Sequence, residues 1–394
     1  MVAACPFPYP RGTPVRIFGM ANALSNRGHE VHVLTYHLGD QNTTTNFKIH
    51  RIPPINTYHK YSPGPSYQKL MVVDSILAIK LFKFLKFHHI DLIHAHHYEG
   101  LIISSLIRKF INHRLIYDAH TILESELPFY EIGFSKGLKK IVGSRLDRWL
   151  PRRADHIIAA TGRIRDKLIE NSGLSPDSIT VVTNGVERDH FNVRPQDSVI
   201  SPDGKKTLIF TGNLAPYQGV DLLLRSFREI LNIRRDVRLL IISDSSFDDY
   251  EPLANTLKIR NYIEVISSNF LSLPKYLAGA DVALNPRTDC DGIPQKILNY
   301  MAAGKPIVSF DGSAVNMVHG RTGWIVENGN IPAFAKAIFH LLENPELAKE
   351  LGDNAKNFVA SEFSWEKSAD KAEAVYEQLI YDHKKDGKLK SAVL

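Results

Sequence analysis

Apolar runs of four to seven residues recur along the chain, each bounded by turn formers and most followed by a stretch with helical spacing. In the first half they are VAAC (2–5), VHVLTY (31–36), FKIHRI (47–52), DLIHA (91–95), RLIYDA (114–119), DHIIAAT (155–161) and SITVV (178–182). They restart with TLIFTG (207–212), VRLLIIS (237–243), YIEVI (262–266), DVALNP (281–286), PIVSF (306–310) and GWIVE (323–327). Continuous short apolar runs between amphipathic helices predict strands buried on both faces, and hence parallel sheets. The intervening TNGVERDHFNVRPQDSVISPDGKK (183–206) is rich in Pro, Asp, Ser and Gly and reads as a linker. The expected fold class is α/β: two doubly wound, Rossmann-like domains facing across a cleft, residues 1–190 and 191–365. A last segment, 366–394, combines a helical pattern with a tail, KKDGKLKSAVL, expected to fray.

A chain of 394 residues is too long for one core, which agrees with two domains. No apolar run approaches the roughly 18–20 residues of a spanning helix, and no signal peptide is visible. The two cysteines, Cys5 and Cys290, stand near strand ends, so neither a disulfide framework nor a cysteine metal site is expected. A cytoplasmic protein fits. The opening MVAAC falls in the middle of what reads as a first strand, which suggests residues upstream of it or a misassigned start. Charge is uneven: residues 1–195 hold 25 Lys/Arg against 16 Asp/Glu, a balance of +9, and the remainder holds 23 against 26, a balance of −3. A basic first half points to an anionic partner. The aromatic and basic strand signature of an RNA-binding sheet is absent, so no nucleic-acid partner is expected.

Ligands of parallel sheets sit beyond the carboxyl ends of the strands, so the residues after each run carry the functional reading. VAAC leads into PFPYPRGTPVRIF, which lacks GxGxxG and disfavours dehydrogenase-type dinucleotide binding. Gly12 precedes a helix expected from about Pro14 to Asn26, with Arg16 on its first turn. A backbone approach to ligand and a plain turn glycine with a solvated arginine are equally compatible. DLIHAHHYEG sets His94 and His96 on one side of a strand end. A metal would need a third ligand and a second shell that nothing obvious supplies, so none is expected. His96 reads instead as a donor to a substrate hydroxyl or phosphate, against the plainer reading of a partly buried strand-end histidine. RLIYDAHTILESELP places Asp118 and His120 on one face, able to orient an acceptor hydroxyl and take its proton, with Glu124 and Glu126 nearby. The two glutamates equally suit the start of a helix. Finally, DGIPQKILNYMAAGKPIV (291–308) reads as loop, short helix stopped by Gly304 and Pro306, then strand: an anion-binding corner to which Arg287 and Lys296 add charge.

Six motifs in order then resemble one family: the Gly12 loop with ANALSNRGHEVHVLT, DLIHAHH, NGVERDHF, TGNLAPYQGVDLLL, YLAGADVALNP, and DGIPQKILNYMAAGKPIV with HGRTGWIVENGN. Together they resemble the GT-B-fold retaining glycosyltransferases of family 4. The resemblance implies a last helix that returns to the first domain. It also implies that the family's pair of acids with seven residues between them falls on Asp291, toward the donor sugar, and Asn299, at the nucleotide ribose. The family's diphosphate-binding Arg and Lys fall on Asn213 and Gln218, and its first-domain histidine falls on His96. The catalytic set expected is thus His96, Asp291 and Lys296. The donor set is Gly12, Asn213, Gln218, Arg287, Ile293, Pro294 and Asn299, and the acceptor set Arg16, Asp118, His120 and Glu124. Three positions depart from the pattern, since Asn213 and Gln218 remove two cations and Asn299 a carboxylate. Arg287 and Lys296 are expected to supply the missing charge, and an amide at 299 avoids a carboxylate one turn from Lys296.

The implied reaction is transfer of a hexose from a nucleoside diphosphate sugar to a hydroxyl, with retained configuration and no cofactor or metal. The leaving phosphate would help deprotonate the acceptor. YQKLMVVDSILAIKLFKFLKFHH, with Lys80, Lys83 and Lys86 along one edge, and SKGLKKIVGSRLDRWLPRRAD, with Trp149, suggest peripheral contact with an anionic membrane and a lipid-linked acceptor. The location that follows is the inner face of the plasma membrane. Two rivals are a catalytically weakened nucleotide-sugar sensor or assembly protein on the same fold, and a nucleotide-sugar epimerase.

Overall fold

The computed structural model describes residues 1–9, 12–61, 64–130, 133, 135–200, 203–267 and 270–391. Contacts divide the chain into two compact units, Met1–Gly185 with Trp365–Leu394, and Val186–Ser364. The first division falls before the expected 190/191 because Val186 and Phe191 are buried in the core of the second unit. Ser201 and Pro202 of the expected linker, and the last three residues of the tail, lie outside the described residues.

The first unit holds seven strands: β1 (Val2–Ala3), β2 (His32–Thr35), β3 (Lys48–Arg51), β4 (Leu92–His96), β5 (Arg114–Ala119), β6 (His156–Ala159) and β7 (Ile179–Val181). They form one parallel sheet in the order β3-β2-β1-β4-β5-β6-β7. The second unit holds β8 (Lys206–Thr211), β9 (Val237–Ile242), β10 (Ile263–Ile266), β11 (Val282–Asn285), β12 (Ile307–Phe310) and β13 (Trp324–Val326). These also pair in parallel, in the order β10-β9-β8-β11-β12-β13. Each strand lies within, or one residue from, an apolar run of the sequence. The runs are continuous because both faces of each sheet are covered. Leu115, Tyr117 and Ala119 of β5 enter one core cluster and Ile116 the other; in β8, Leu208 and Phe210 face one and Ile209 the other. Strand order reverses between β1 and β4 and between β8 and β11. These switch points open a crevice at the carboxyl ends, where such sheets take their ligands.

Five helices matter below: α1 (Gly12–Asn26), α2 (Asp74–Phe87), α3 (Lys136–Trp149), α4 (Gln295–Ala302) and α5 (Trp365–Ser391). Gly12 is the first residue of α1, not part of a loop before it, because Pro14 suits a first helical turn. The helix α5 runs on to Ser391 where a frayed tail was expected; Lys and Leu in the tail are good helix formers. It packs on α1 within the first unit through Trp365, Ala369, Ala372, Val375, Tyr376 and Leu379, against Ile17, Met20 and Leu24. Gly19 makes that contact possible: a Cβ there would stand 2.1 Å from the Trp365 indole. Among the described residues no helix is long and apolar enough to cross a membrane.

Candidate functional site

In the second unit the site grows from the loops that follow β8 and β11. Gly212, at φ +124, turns the chain after β8. Gly219, at φ +71, starts the next helix where a side chain would strike the carbonyl of Pro286, 2.2 Å away. That close approach joins the two loops. Lys296, on the first turn of α4, reaches back across the gap and donates to Gln218 Oε1 at 2.7 Å. Its ammonium lies 4.1 Å from the centroid of the Phe210 ring. Arg287 stacks over Tyr217, 4.9 Å from its centroid, and donates to the carbonyl of Asp289. Among the described residues no ion pair joins Lys296 or Arg287 to a carboxylate. Burial, and then the neighbouring Arg287 charge, push Lys296 well below the ordinary lysine pKa. Two cations thus meet without an anion, a configuration that a bound anion would stabilise.

The other expected donor residues fall around this pair. Asn213 donates to the Tyr217 hydroxyl and accepts from the backbone N–H of Ala215, so its amide shapes the loop. Asp291 is buried in the loop before α4, Ile293 is half-buried against the core, and Pro294 is buried at the helix entry, its carbonyl accepting from Ile297. Asn299 is buried with its Oδ1 lacking a hydrogen-bond partner. Sequence reasoning missed Phe210 and Tyr217, whose aromatic faces hold the two cations; they stand in the quoted TLIFTG and TGNLAPYQGVDLLL.

In the first unit the carboxyl ends of β4 and β5 build a buried polar cluster. Asp118 is fully buried and accepts from Arg16 three times, Nε to Oδ1 and Oδ2 at 3.1 and 2.9 Å and Nη2 to Oδ1 at 2.9 Å. The third arm of Arg16, Nη1, donates to Asn184 Oδ1 at 2.7 Å. His94 Nε2 lies 3.1 Å and His96 Nδ1 3.2 Å from Asp118 Oδ2, their rings stacked at 4.4 Å. His94 Nδ1 meets the Tyr376 hydroxyl of α5 at 2.6 Å. His120 links His96, at 3.3 Å, to the Thr13 hydroxyl, at 3.1 Å. Burial opposes the Asp118 charge, but Arg16 and His120 hold its carboxyl well below the usual range. Burial lowers the pKa of all three histidines, to about 4 for His120.

This changes four expectations. Arg16 is neither solvated nor turned toward an acceptor, because its guanidinium is spent on Asp118 and Asn184. Asp118 likewise serves the interior. His96 is wholly buried, its Nδ1 facing Asp118 and His120 and its Nε2 without a partner. The third ligand that a metal would need does exist: His94, His96 and Asp118 present atoms within 4.8 Å of one another. Arg16 already donates to both oxygens of that carboxylate. His120 remains at the edge of the cluster, slightly exposed, and Glu124 is half-buried 3.7 Å from Lys140. Thr13, Asn184 and Tyr376 were missed. Only Tyr376 left a signal, as one of the apolar positions at 365, 369, 372, 376 and 379.

Comparison with known proteins agrees with this architecture. Residues 10–190 match the family described as Glycosyltransferase Family 4, and residues 205–344 match Glycosyl transferases group 1. A D-inositol 3-phosphate glycosyltransferase of Corynebacterium diphtheriae is 24% identical over 384 residues, covering 93% of this chain and 89% of that protein. An uncharacterized glycosyltransferase of Methanocaldococcus jannaschii is 25% identical over 383 residues, covering 95% and 96%. Among solved structures, sucrose-phosphate synthase from Thermosynechococcus elongatus superposes with a TM-score of 0.82 at 17% identity, covering 96% of each chain. Anabaena HepE, in complex with UDP and glucose, gives 0.76 at 18% identity, covering 96% of this chain and 98% of that one. With two parallel-sheet units of this order and matches to both family regions, the chain belongs to the group 1, family 4 glycosyltransferases and has the GT-B fold.

Proposed function

We propose that this transferase moves a hexose from a nucleoside diphosphate sugar to a hydroxyl acceptor, with retention at the anomeric carbon. The observation that carries the donor reading is the pair Lys296 and Arg287, drawn together at the β8/β11 switch point with no carboxylate among the described residues paired to either. A diphosphate supplies that balance. Lys296 and Arg287 stabilise charge on the leaving diphosphate in place of the cations that Asn213 and Gln218 lack. Gln218 holds the Lys296 ammonium in place, Asn299 Oδ1 accepts from a ribose hydroxyl, and Asp291 approaches the sugar. The leaving phosphate oxygen takes the acceptor proton as the new glycosidic bond forms on the same face. HepE structures hold UDP or UDP-glucose on this fold, which supports a donor of that class.

A lipid-linked acceptor and peripheral membrane contact are supported by the outer face of α3. Leu138, Ile141, Val142 and Trp149 are exposed along it, with Lys136, Lys140, Arg145 and Arg148, and its single acid, Asp147, is buried. Phe87 and Ile79 of α2 are exposed among its lysines. The test is turnover against a panel of nucleotide sugars with lipid-linked and soluble hydroxyl acceptors. Acceptor-dependent release of nucleoside diphosphate with an axial or equatorial product linkage matching the donor is expected. A protein that binds a nucleotide sugar tightly yet transfers nothing favours the weakened sensor, a reading that the three lost polar groups motivate.

A further inference from the structure

We propose that Asp147 is a positioning residue through which the lipid-facing helix α3 sets the segment 121–130 that carries Glu124, so that docking on an anionic lipid surface orders that segment. The inference rests on the membrane contact proposed above. As a cover for a core, α3 is built the wrong way round. Its buried positions are Lys139, Gly143 and Asp147, one stripe at i, i+4 and i+8, whereas Leu138, Ile141, Val142 and Trp149 are exposed. Among the described residues, Leu146 is the one apolar side chain of the helix that packs against a core cluster. The exposed charges of α3 are all positive, Lys136, Lys140, Arg145 and Arg148, the complement of an anionic headgroup layer.

The buried stripe meets the backbone of the segment that follows β5. Asp147 Oδ1 accepts from the Leu123 N–H at 3.1 Å and Oδ2 from the Glu124 N–H at 2.9 Å. The Tyr98 hydroxyl lies 2.9 Å from Asp147 Oδ1 and 2.9 Å from the Thr121 carbonyl, and shares its proton between them. Gly143 admits this approach, since a Cβ there would stand 2.7 Å from the Glu124 nitrogen. Lys139 Nζ donates to the Tyr130 carbonyl at 2.6 Å. A helix of 14 residues is marginal alone and draws most of its stability from the apolar face it buries. Here that face points outward, so the bonds to 121–130 hold helix and segment together, and one opens with the other. An acid in the last turn opposes the helix dipole, and burial pushes the Asp147 carboxyl up to about 6. Its place is thus unfavourable for the helix alone; the three donors it gathers fix where the Glu124 main chain lies. A lipid layer that buries the outer face binds only the formed helix, and by linkage it stabilises the segment too.

Amide hydrogen exchange of the full chain, with and without mixed phosphatidylglycerol and phosphatidylcholine vesicles, reads the coupling. With lipid at about ten times the dissociation constant, the Leu123 and Glu124 amides should exchange about tenfold more slowly; unchanged exchange in bound protein overturns the proposal. Asp147→Asn keeps the size of the side chain and turns one acceptor into an NH2 group that faces N–H donors. It should sediment with the vesicles as the wild type does, because residue 147 is buried away from the outer face. Its Leu123 and Glu124 amides should exchange alike with and without lipid, and slowing equal to the wild type overturns the proposal. A water-soluble acceptor gains nothing from lying near lipid, so vesicles should act on its turnover through kcat and not KM. That stimulation should be lost in Asp147→Asn; the same stimulation in both proteins overturns the proposal. Should Asp147→Asn not fold, Lys139→Met, which removes the tie to Tyr130, should lose part of the slowing, and full slowing there counts against the coupling. Wild-type protein that stays in the supernatant sinks the membrane contact and this inference with it, whereas bound protein with unaltered exchange sinks this inference alone. Absence of all turnover sinks the transferase reading and leaves the exchange measurements to decide.

Discussion

Replacing Lys296 by methionine keeps the bulk of the side chain and deletes one charge from a place that holds two. The ammonium meets Gln218 Oε1 at 2.7 Å and the Phe210 ring at 4.1 Å, and both are neutral. Burial and Arg287 disfavour the charged form, so the unliganded protein bears a penalty that Lys296→Met removes. Melting temperature without nucleotide should therefore hold or rise. A bound diphosphate reverses the sign, because the ammonium then makes a charge-assisted hydrogen bond worth about 1.5–3 kcal/mol. Its loss weakens UDP or GDP binding by about 10- to 150-fold. The pH dependence follows. The folded pKa is lowered from 10.5, so between the lowered value and 10.5 the unfolded chain binds more protons, and the unliganded protein gains stability as pH rises through that window. Diphosphate binding restores the proton, so affinity falls over the same window and binding takes up a proton. Titration calorimetry in two buffers of different ionisation enthalpy, beside thermal melts of both proteins, measures each part. Wild-type affinity in Lys296→Met, or binding without proton uptake, would refute the diphosphate receptor.

Three further outcomes are expected. Arg16→Met strands the Asp118 carboxylate among buried histidines and should cost about 3–5 kcal/mol in denaturant unfolding; a cost below about 1 kcal/mol would contradict the pairing, since that is the range of exposed ion pairs. Gly19→Val should expel the Trp365 indole, shifting its fluorescence to the red and speeding proteolysis of α5, because even a Cβ lies 2.1 Å from the ring. Sedimentation with anionic vesicles should recover the protein at low salt and release it at high salt. Arg145→Glu with Arg148→Glu should weaken recovery, each lost cation contributing about 1 kcal/mol near such a surface; equal recovery by neutral vesicles would contradict an electrostatic contact.

Much of the fold was legible because burial on both faces forces uninterrupted apolar runs, and each of the thirteen runs holds a strand among the described residues. The loop, helix and strand around Lys296 were legible for the same reason: Pro294, Gly304 and Pro306 act locally. Arg16 was misread because one arginine in a helix looks alike whether it meets water or a carboxylate 102 residues away.

The sequence by itself determined which segments are strands and helices, their order, and the family whose motifs they carry, since these depend on local periodicity and turn chemistry. Tertiary structure alone decided the partners: Lys296 with Gln218, Asp118 with Arg16 and two histidines, Tyr376 with His94. The physical reason is that a buried polar group is satisfied by whatever the strand order brings within about 3 Å, and that neighbour is set by topology, not by distance along the chain.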